Sequence, residues 1–139
     1  MIILDTNVVS ELMRPVPEAR VLRWLSNQIT EDLHVTAVTM AEILYGIELI
    51  VAARRRDVVR AGAEKMFEAV FADRILTFED RAASAFSQIA SSRRRQGKPM
   101  SEFDAQIAAI TRIHSATLAT RNPYVFEGCG VRLVNPWVG

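Results

Sequence analysis

The stretch MIILDTNVVSEL, residues 1–12, decides how the rest of the chain is read. Ile2, Ile3 and Leu4 form an uninterrupted aliphatic run, the pattern of a short strand buried on both faces. The run ends in Asp5, a charge that burial penalises. TNVVSELM then reads as a loop turning into a short helix that stops before Pro15. In an open α/β sheet, ligands bind outside the carboxyl ends of the strands, which is where this arrangement puts Asp5.

Working outward, PEARVLRWLSNQ (17–28) starts with proline and spaces Val21, Leu22 and Leu25 on one helical face. LHVTAV (33–38) is a β-branched strand, and TMAEILYGIELIVAA (39–53) a helix with Ile43, Ile47 and Ile50 on one stripe. Helical periodicity resumes over 54–73, RILTF (74–78) is a brief strand, and 79–97 and 101–115 are helical. TLAT (117–120) and VRLVNP (131–136) supply the last strands. Short apolar strands separated by helices imply an α/β fold with a mainly parallel sheet and helices on both faces. No linker or internal repeat interrupts this order, so one domain over residues 1–139 is expected.

The 17 basic and 16 acidic residues leave a formal charge of +1, which gives no global attraction to nucleic acid or membrane. Only Lys65 and Lys98 are lysines; the other basic residues are arginines, suited to bidentate contact with carboxylate or phosphate. Cys129 stands alone, excluding an internal disulfide and a multi-cysteine metal site, and points to a reducing, cytoplasmic setting. Neither a signal peptide nor a membrane span is legible.

Two further acids fall where Asp5 falls. Glu42 lies in the first turn of the helix after LHVTAV, and Asp104 in the first turn of the helix opened by Pro99 and Ser101. TMAE, SEFD and TFED all match capping-box patterns, so Glu42 and Asp104 have a purely structural reading as well. Asp5 could itself cap the helix that follows. If the three converge, like charges ~4 Å apart repel by about 4 kcal/mol at an effective dielectric of about 20, a crowding that capping does not require. Mg²⁺ or Mn²⁺ would relieve it, keep several waters, and leave room for a phosphodiester undergoing in-line hydrolysis.

With ILDTNVVSEL, VTMAEILYGIE, GKPMSEFDAQIAAI, LATRN and FEGCGVRLVNPW in this order, the chain resembles PIN-domain ribonucleases of the VapC toxin type, in their FitB-like branch. The resemblance implies a three-layer α/β/α sandwich, Mg²⁺ or Mn²⁺ dependence, RNA as substrate, dimerisation, and neutralisation by a VapB- or FitA-like antitoxin. It assigns Asp5, Glu42 and Asp104 to the acidic metal positions and Thr6 to the small polar residue beside the first; Asn7 and Ser101 would support them. Asn122 falls where many relatives carry aspartate or asparagine. Those with asparagine often have an acid in a following DF pair, and Val125-Phe126 stands there instead. One tightly held ion and a second weak one are therefore expected.

Arg54–Arg56 and Arg93–Arg95 are triplets that read either as solvated helix ends or as phosphate contacts. Arg93, Arg94, Arg95 and the nearby Lys98 are the better RNA candidates. The aromatic residues do not interleave with these basic ones, so Phe67, Phe71, Phe86 and Phe103 are expected in the core. His34 and His114 are poorly placed as metal ligands or bases. Missing motifs exclude a P-loop nucleotidase and a GxSxG hydrolase, while Asn7 in place of a second acid disfavours an aspartate-nucleophile phosphatase. The alternative that stays open is a PIN-like module that binds RNA or protein with little or no nuclease activity.

Overall fold

The computed structural model describes residues Met1–Val138; Gly139, the end of the expected domain, lies outside them. The chain runs β1 (Ile2–Leu4), α1 (Thr6–Leu12), α2 (Ala19–Ser26), a 3₁₀ turn (Thr30–Asp32), β2 (Leu33–Thr36), α3 (Ala37–Glu48), α4 (Ala53–Ala69) and β3 (Ile75–Leu76). It continues through α5 (Asp80–Arg95), α6 (Glu102–Ile113), β4 (Thr117–Ala119), a second 3₁₀ turn (Pro123–Phe126) and β5 (Arg132–Val134). The sheet order is β3-β2-β1-β4-β5, and every adjacent pair is parallel.

Strand alternation builds the three layers. Ile3 and Leu118 point into one core with Ala82, Ile89, Ile107 and Ile110 from α5 and α6. Their neighbours Leu4 and Ala119 point into the other, with Val8, Val21, Ile43 and Phe67 from α1 to α4. The small residues Ala105, Ala108 and Ala109 of α6 are fully or almost fully buried, allowing close packing of that helix. β1 lies at the centre, with β2 on one side and β4 on the other, so the direction of chain winding reverses beside it. That reversal opens a crevice at the carboxyl end of β1.

Several helix starts differ from the sequence reading. β2 ends at Thr36, whose hydroxyl accepts the Thr39 N–H at 3.0 Å and so caps α3. Thr39 therefore lies inside the first turn, and TMAE is not a capping box. In TFED the cap position falls on Glu79, with no side-chain capping bond. SEFD does start with a cap: Ser101 accepts the Asp104 N–H at 3.1 Å. Phe103 departs from its expected core position, because the buried face of α6 begins at Ala105 and leaves Phe103 43% exposed. Phe86 is partly buried and meets Phe78 edge-on at 6.0 Å. Among the described residues, no helix is long and apolar enough to cross a membrane.

Phe67 and Phe103 should therefore respond differently to truncation. Phe67→Ala empties a fully enclosed site and should cost about 3–5 kcal/mol in urea unfolding. Phe103→Ala should cost less than about 1 kcal/mol. Equal losses would contradict this core assignment.

Candidate functional site

The pairing of β1 with β4 puts Leu4 opposite Ala119 and makes Asp5 the neighbour of Thr120. The Asp5 N–H donates to the Ala119 carbonyl at 2.9 Å, continuing the ladder past the end of the strand. Its carboxylate is then held at both oxygens. Oδ1 accepts the Thr6 N–H at 2.8 Å, and Oδ2 accepts the Thr120 hydroxyl at 2.8 Å. Asp5 thus caps α1 and also faces the crevice; the two readings left open by the sequence are compatible. Turning directly from strand to helix lets one extended residue do both.

Thr120 is a junction that the sequence reading missed. Its oxygen accepts from Asn122 N–H at 3.1 Å and from Asn7 Nδ2 at 3.4 Å, so its own proton is directed to Asp5. Asn7 Oδ1 in turn accepts the Arg121 N–H at 3.2 Å, tying the start of α1 to the loop after β4. The legible signal was positional: Thr120 closes TLA as Asp5 closes IIL, each being the first residue past its strand.

Glu42 reaches the same place from α3. The Thr6 hydroxyl donates to Glu42 Oε1 at 2.8 Å, and it lies 3.1 Å from the Thr39 hydroxyl. Thr6 has one hydroxyl proton, so Thr39 must be the donor in that second contact. A relay from Thr39 through Thr6 to Glu42 results, with the Thr6 backbone gripping Asp5. Asp104, half-buried in the first turn of α6, lines one cavity of about 570 Å³ together with Asp5, Thr6, Asn7, Glu42 and Asn122. Ser101 does not line this cavity; it caps α6 and lines a neighbouring cavity that also includes Asp104.

Burial is the main reason that Asp5 is pushed up to about 6; its two hydrogen bonds oppose the rise, and the charges of Asp104 and Glu42 add to it. Glu42 is also raised, first by desolvation, against the Thr6 hydrogen bond and with Asp104 adding repulsion. Among the described residues no group of three or more His, Cys, Asp or Glu side chains is gathered closely enough to hold a metal ion by itself. A hard divalent cation nevertheless fits the donor chemistry, which is all oxygen, and would complete its shell with water or substrate oxygens.

The basic residues at the cavity are not those singled out in the sequence. Arg14 and Arg121 line it, and as isolated arginines they carried no pattern to find them by. Arg14 pairs with Glu11 at 3.1 Å, and Glu11 also accepts the Glu18 N–H at 2.9 Å, which holds its carboxyl below the usual range. The Arg121 guanidinium lies 5.1 Å over the Trp137 ring. Arg93 turns inward: its guanidinium donates to the carbonyls of Lys98 at 2.9 Å, Val125 at 2.6 Å and Glu127 at 3.3 Å. Being buried and saturated with acceptors, it does not present itself to a phosphate as expected. Arg94, Arg95 and Lys98 are exposed, and of these Lys98 lines a second cavity that also includes Asp104. The first triplet sits at the start of α4, not at a helix carboxyl end, with Arg56 donating to the Ile50 carbonyl.

A protein-family model described as PIN domain matches residues 2–127. Toxin FitB of Neisseria gonorrhoeae is 39% identical over 137 residues, covering 99% of both chains. VapC ribonuclease Y4jK of Sinorhizobium fredii is 34% identical over 137 residues, covering 99% of this chain and 98% of the relative. The crystal structure of FitAcB from Neisseria gonorrhoeae superposes with a TM-score of 0.91 at 39% identity, covering 100% of both chains.

Asp5 should leave a pH signature in the metal-free protein. Its carboxyl rises from 3.8 to about 6 on folding, so its stabilising share is complete below about pH 4 and is lost as pH climbs through about 6. The loss amounts to about 3 kcal/mol. Urea unfolding in chelator should show wild type falling behind Asp5→Asn as pH increases from about 4 to about 8. A difference between the two that stays flat with pH would contradict the buried, raised carboxyl.

Proposed function

The chain belongs to the PIN-domain family, among its VapC-type toxins, and from that membership we propose a metal-dependent endoribonuclease, the toxin of a toxin–antitoxin module. Asp5, Glu42 and Asp104 would hold Mg²⁺ or Mn²⁺. The observation that carries this reading is the shared cavity: four carboxylates line it, and beside Glu11, which pairs with Arg14, the acids Asp5, Glu42 and Asp104 come from three separate elements, with Asp5 and Glu42 raised by burial and by neighbouring carboxylates. Capping accounts for Asp5 at α1 but gives no reason for Glu42 and Asp104 to share its crevice.

When bound, the cation supplies positive charge against the phosphodiester and acidifies water for in-line attack. The chain's own residues do the positioning. Thr120 and Thr6 fix both oxygens of Asp5, and Thr6 fixes Oε1 of Glu42, leaving Oε2 for a ligand or a water proton. Asn122, held through its N–H on Thr120, can orient a water through its amide without adding charge. Arg14 and Arg121, on the wall of the same cavity, suit the non-bridging oxygens of the phosphate. Hydrolysis moves one proton off the attacking water and returns one to the departing ribose oxygen, and the carboxylates are the acceptors within reach of the cavity.

The relation to FitB, solved as FitAcB, supports a small FitA-like antitoxin as partner. Tyr45, Leu49, Val51 and Val58, all exposed on or beside α3 and α4, offer apolar area for that partner or for a second copy of the toxin.

Purified protein should cut RNA with Mn²⁺, stop in EDTA, and lose about a hundredfold or more in rate on Asp5→Asn, equivalent to ~3 kcal/mol of transition-state stabilisation. Identical products from wild type and variant, or none from either, would reject the nuclease. Calorimetric titration of Mn²⁺ without RNA should show one tight site, with Asn122→Asp strengthening a second. Two tight sites in the wild type would contradict the three-carboxylate account.

A further inference from the structure

Asp104 and Val125 line two cavities at once: a second one, of about 490 Å³, shares these residues with the cavity that holds Asp5 and Glu42. Its chemistry differs from the first. Pro99, Met100 and Val125 give apolar walls, Tyr124 an aromatic ring, and Lys98 a cation. Tyr124 is 68% exposed although it sits in a tightly fixed turn. Pro123 starts that 3₁₀ turn, the Val125 N–H closes it on the Asn122 carbonyl at 3.0 Å, and Phe126, 1% exposed, anchors it in the core.

Arg93 explains why both sides of this cavity are held in register. One guanidinium donates to the Lys98 carbonyl on one side and to the Val125 and Glu127 carbonyls on the other. Breaking a buried, charge-assisted network of this kind is costly, so the two loops form a stiff pair. An exposed aromatic ring on a stiff turn loses little freedom when a flat partner lies on it.

We propose that this second cavity is a nucleobase subsite, with the Tyr124 ring as stacking face and Lys98 as the contact for the flanking phosphate. Stacking on aromatic side chains is how single-stranded RNA gains affinity without sequence-specific hydrogen bonds. Glu127, which also lines the cavity, repels phosphate, so a neutral base suits the interior and the phosphate falls to the Lys98 edge. A nucleotide seated there adjoins Asp104, which places its neighbouring phosphodiester at the acidic cavity. Tyr124 thereby sets which phosphodiester is presented. The inference rests on the ribonuclease reading, and it gives the substrate strand a direction of approach across Asp104.

The test is fluorescence anisotropy with a labelled single-stranded RNA of about ten nucleotides and a matched abasic strand, in Ca²⁺, alongside cleavage assays in Mn²⁺. Tyr124→Ala should weaken binding of the base-bearing strand about tenfold. Tyr124→Phe, which keeps the ring, should stay within about threefold of wild type. On the abasic strand Tyr124→Ala and wild type should bind alike. Lys98→Ala should lower the salt dependence by about one ion. Tyr124 is exposed, so retained thermal unfolding midpoints separate lost stacking from lost folding. If RNA is cleaved but Tyr124→Ala binds both strands as wild type does, the subsite is rejected and the nuclease stands. If no RNA is cleaved yet binding depends on the Tyr124 ring and on the bases, the subsite stands and the nuclease falls. Failure of the wild type to bind either strand rejects the subsite.

Discussion

The hydrogen bond from the Thr120 hydroxyl to Oδ2 of Asp5, at 2.8 Å and buried, is the point on which the site depends. It can form only if β1 and β4 pair in parallel with Leu4 opposite Ala119. A slip of one residue would turn Leu4 and Ala119 out of their shared core and send Asp5 to the opposite face. The hydrophobic pattern of two three-residue strands therefore fixes the orientation of a carboxylate. Asn7, Asn122 and Arg121 then attach through Thr120, and Thr6 carries the same order on to Glu42.

That order works against the chain's own electrostatics. Asp5 is 5% exposed, and the site raises its carboxyl and that of Glu42 above their ordinary values. Three acids are thus gathered where folding alone would favour neutral side chains. Stability sacrificed at one locus while the rest of the chain is locally consistent is the usual mark of a functional site. The two cores on either side of the sheet, rich in fully enclosed residues such as Ile3, Phe67 and Ile107, supply the excess that tolerates it.

Much of this was legible in the residues. Apolar runs separated by helical periodicity give the order of elements, and the three acids stand out because each follows a strand or a helix start at the same end of the sheet. Glu42 lies in the second turn of α3 and not in the first turn expected, since that helix already starts at Ala37. The parallel three-layer architecture follows from the same pattern. What the sequence hid was decided by contacts between distant segments. Thr36, not Thr39, caps α3, since the strand ends sooner than its β-branched residues imply. Arg93 belongs to a triplet that looks solvated, yet its place on α5 aims it at three carbonyls that belong to the loops around 98 and 125–127. Arg14 and Arg121 reach the cavity from loops with no recognisable spacing. Phe103 looks apolar enough for the core, but the helical phase set by Ala105 and Ile107 turns it outward.

The central claim is that Asp5, Glu42 and Asp104 form one cation site. Anomalous diffraction from a crystal of the protein soaked in Mn²⁺ tests it most directly, because the ion is located without reference to activity. The account predicts a single strong peak in the cavity, in contact with carboxylate oxygens from these residues and otherwise surrounded by water. A peak bound elsewhere, or no peak in that cavity at saturating Mn²⁺, would contradict it.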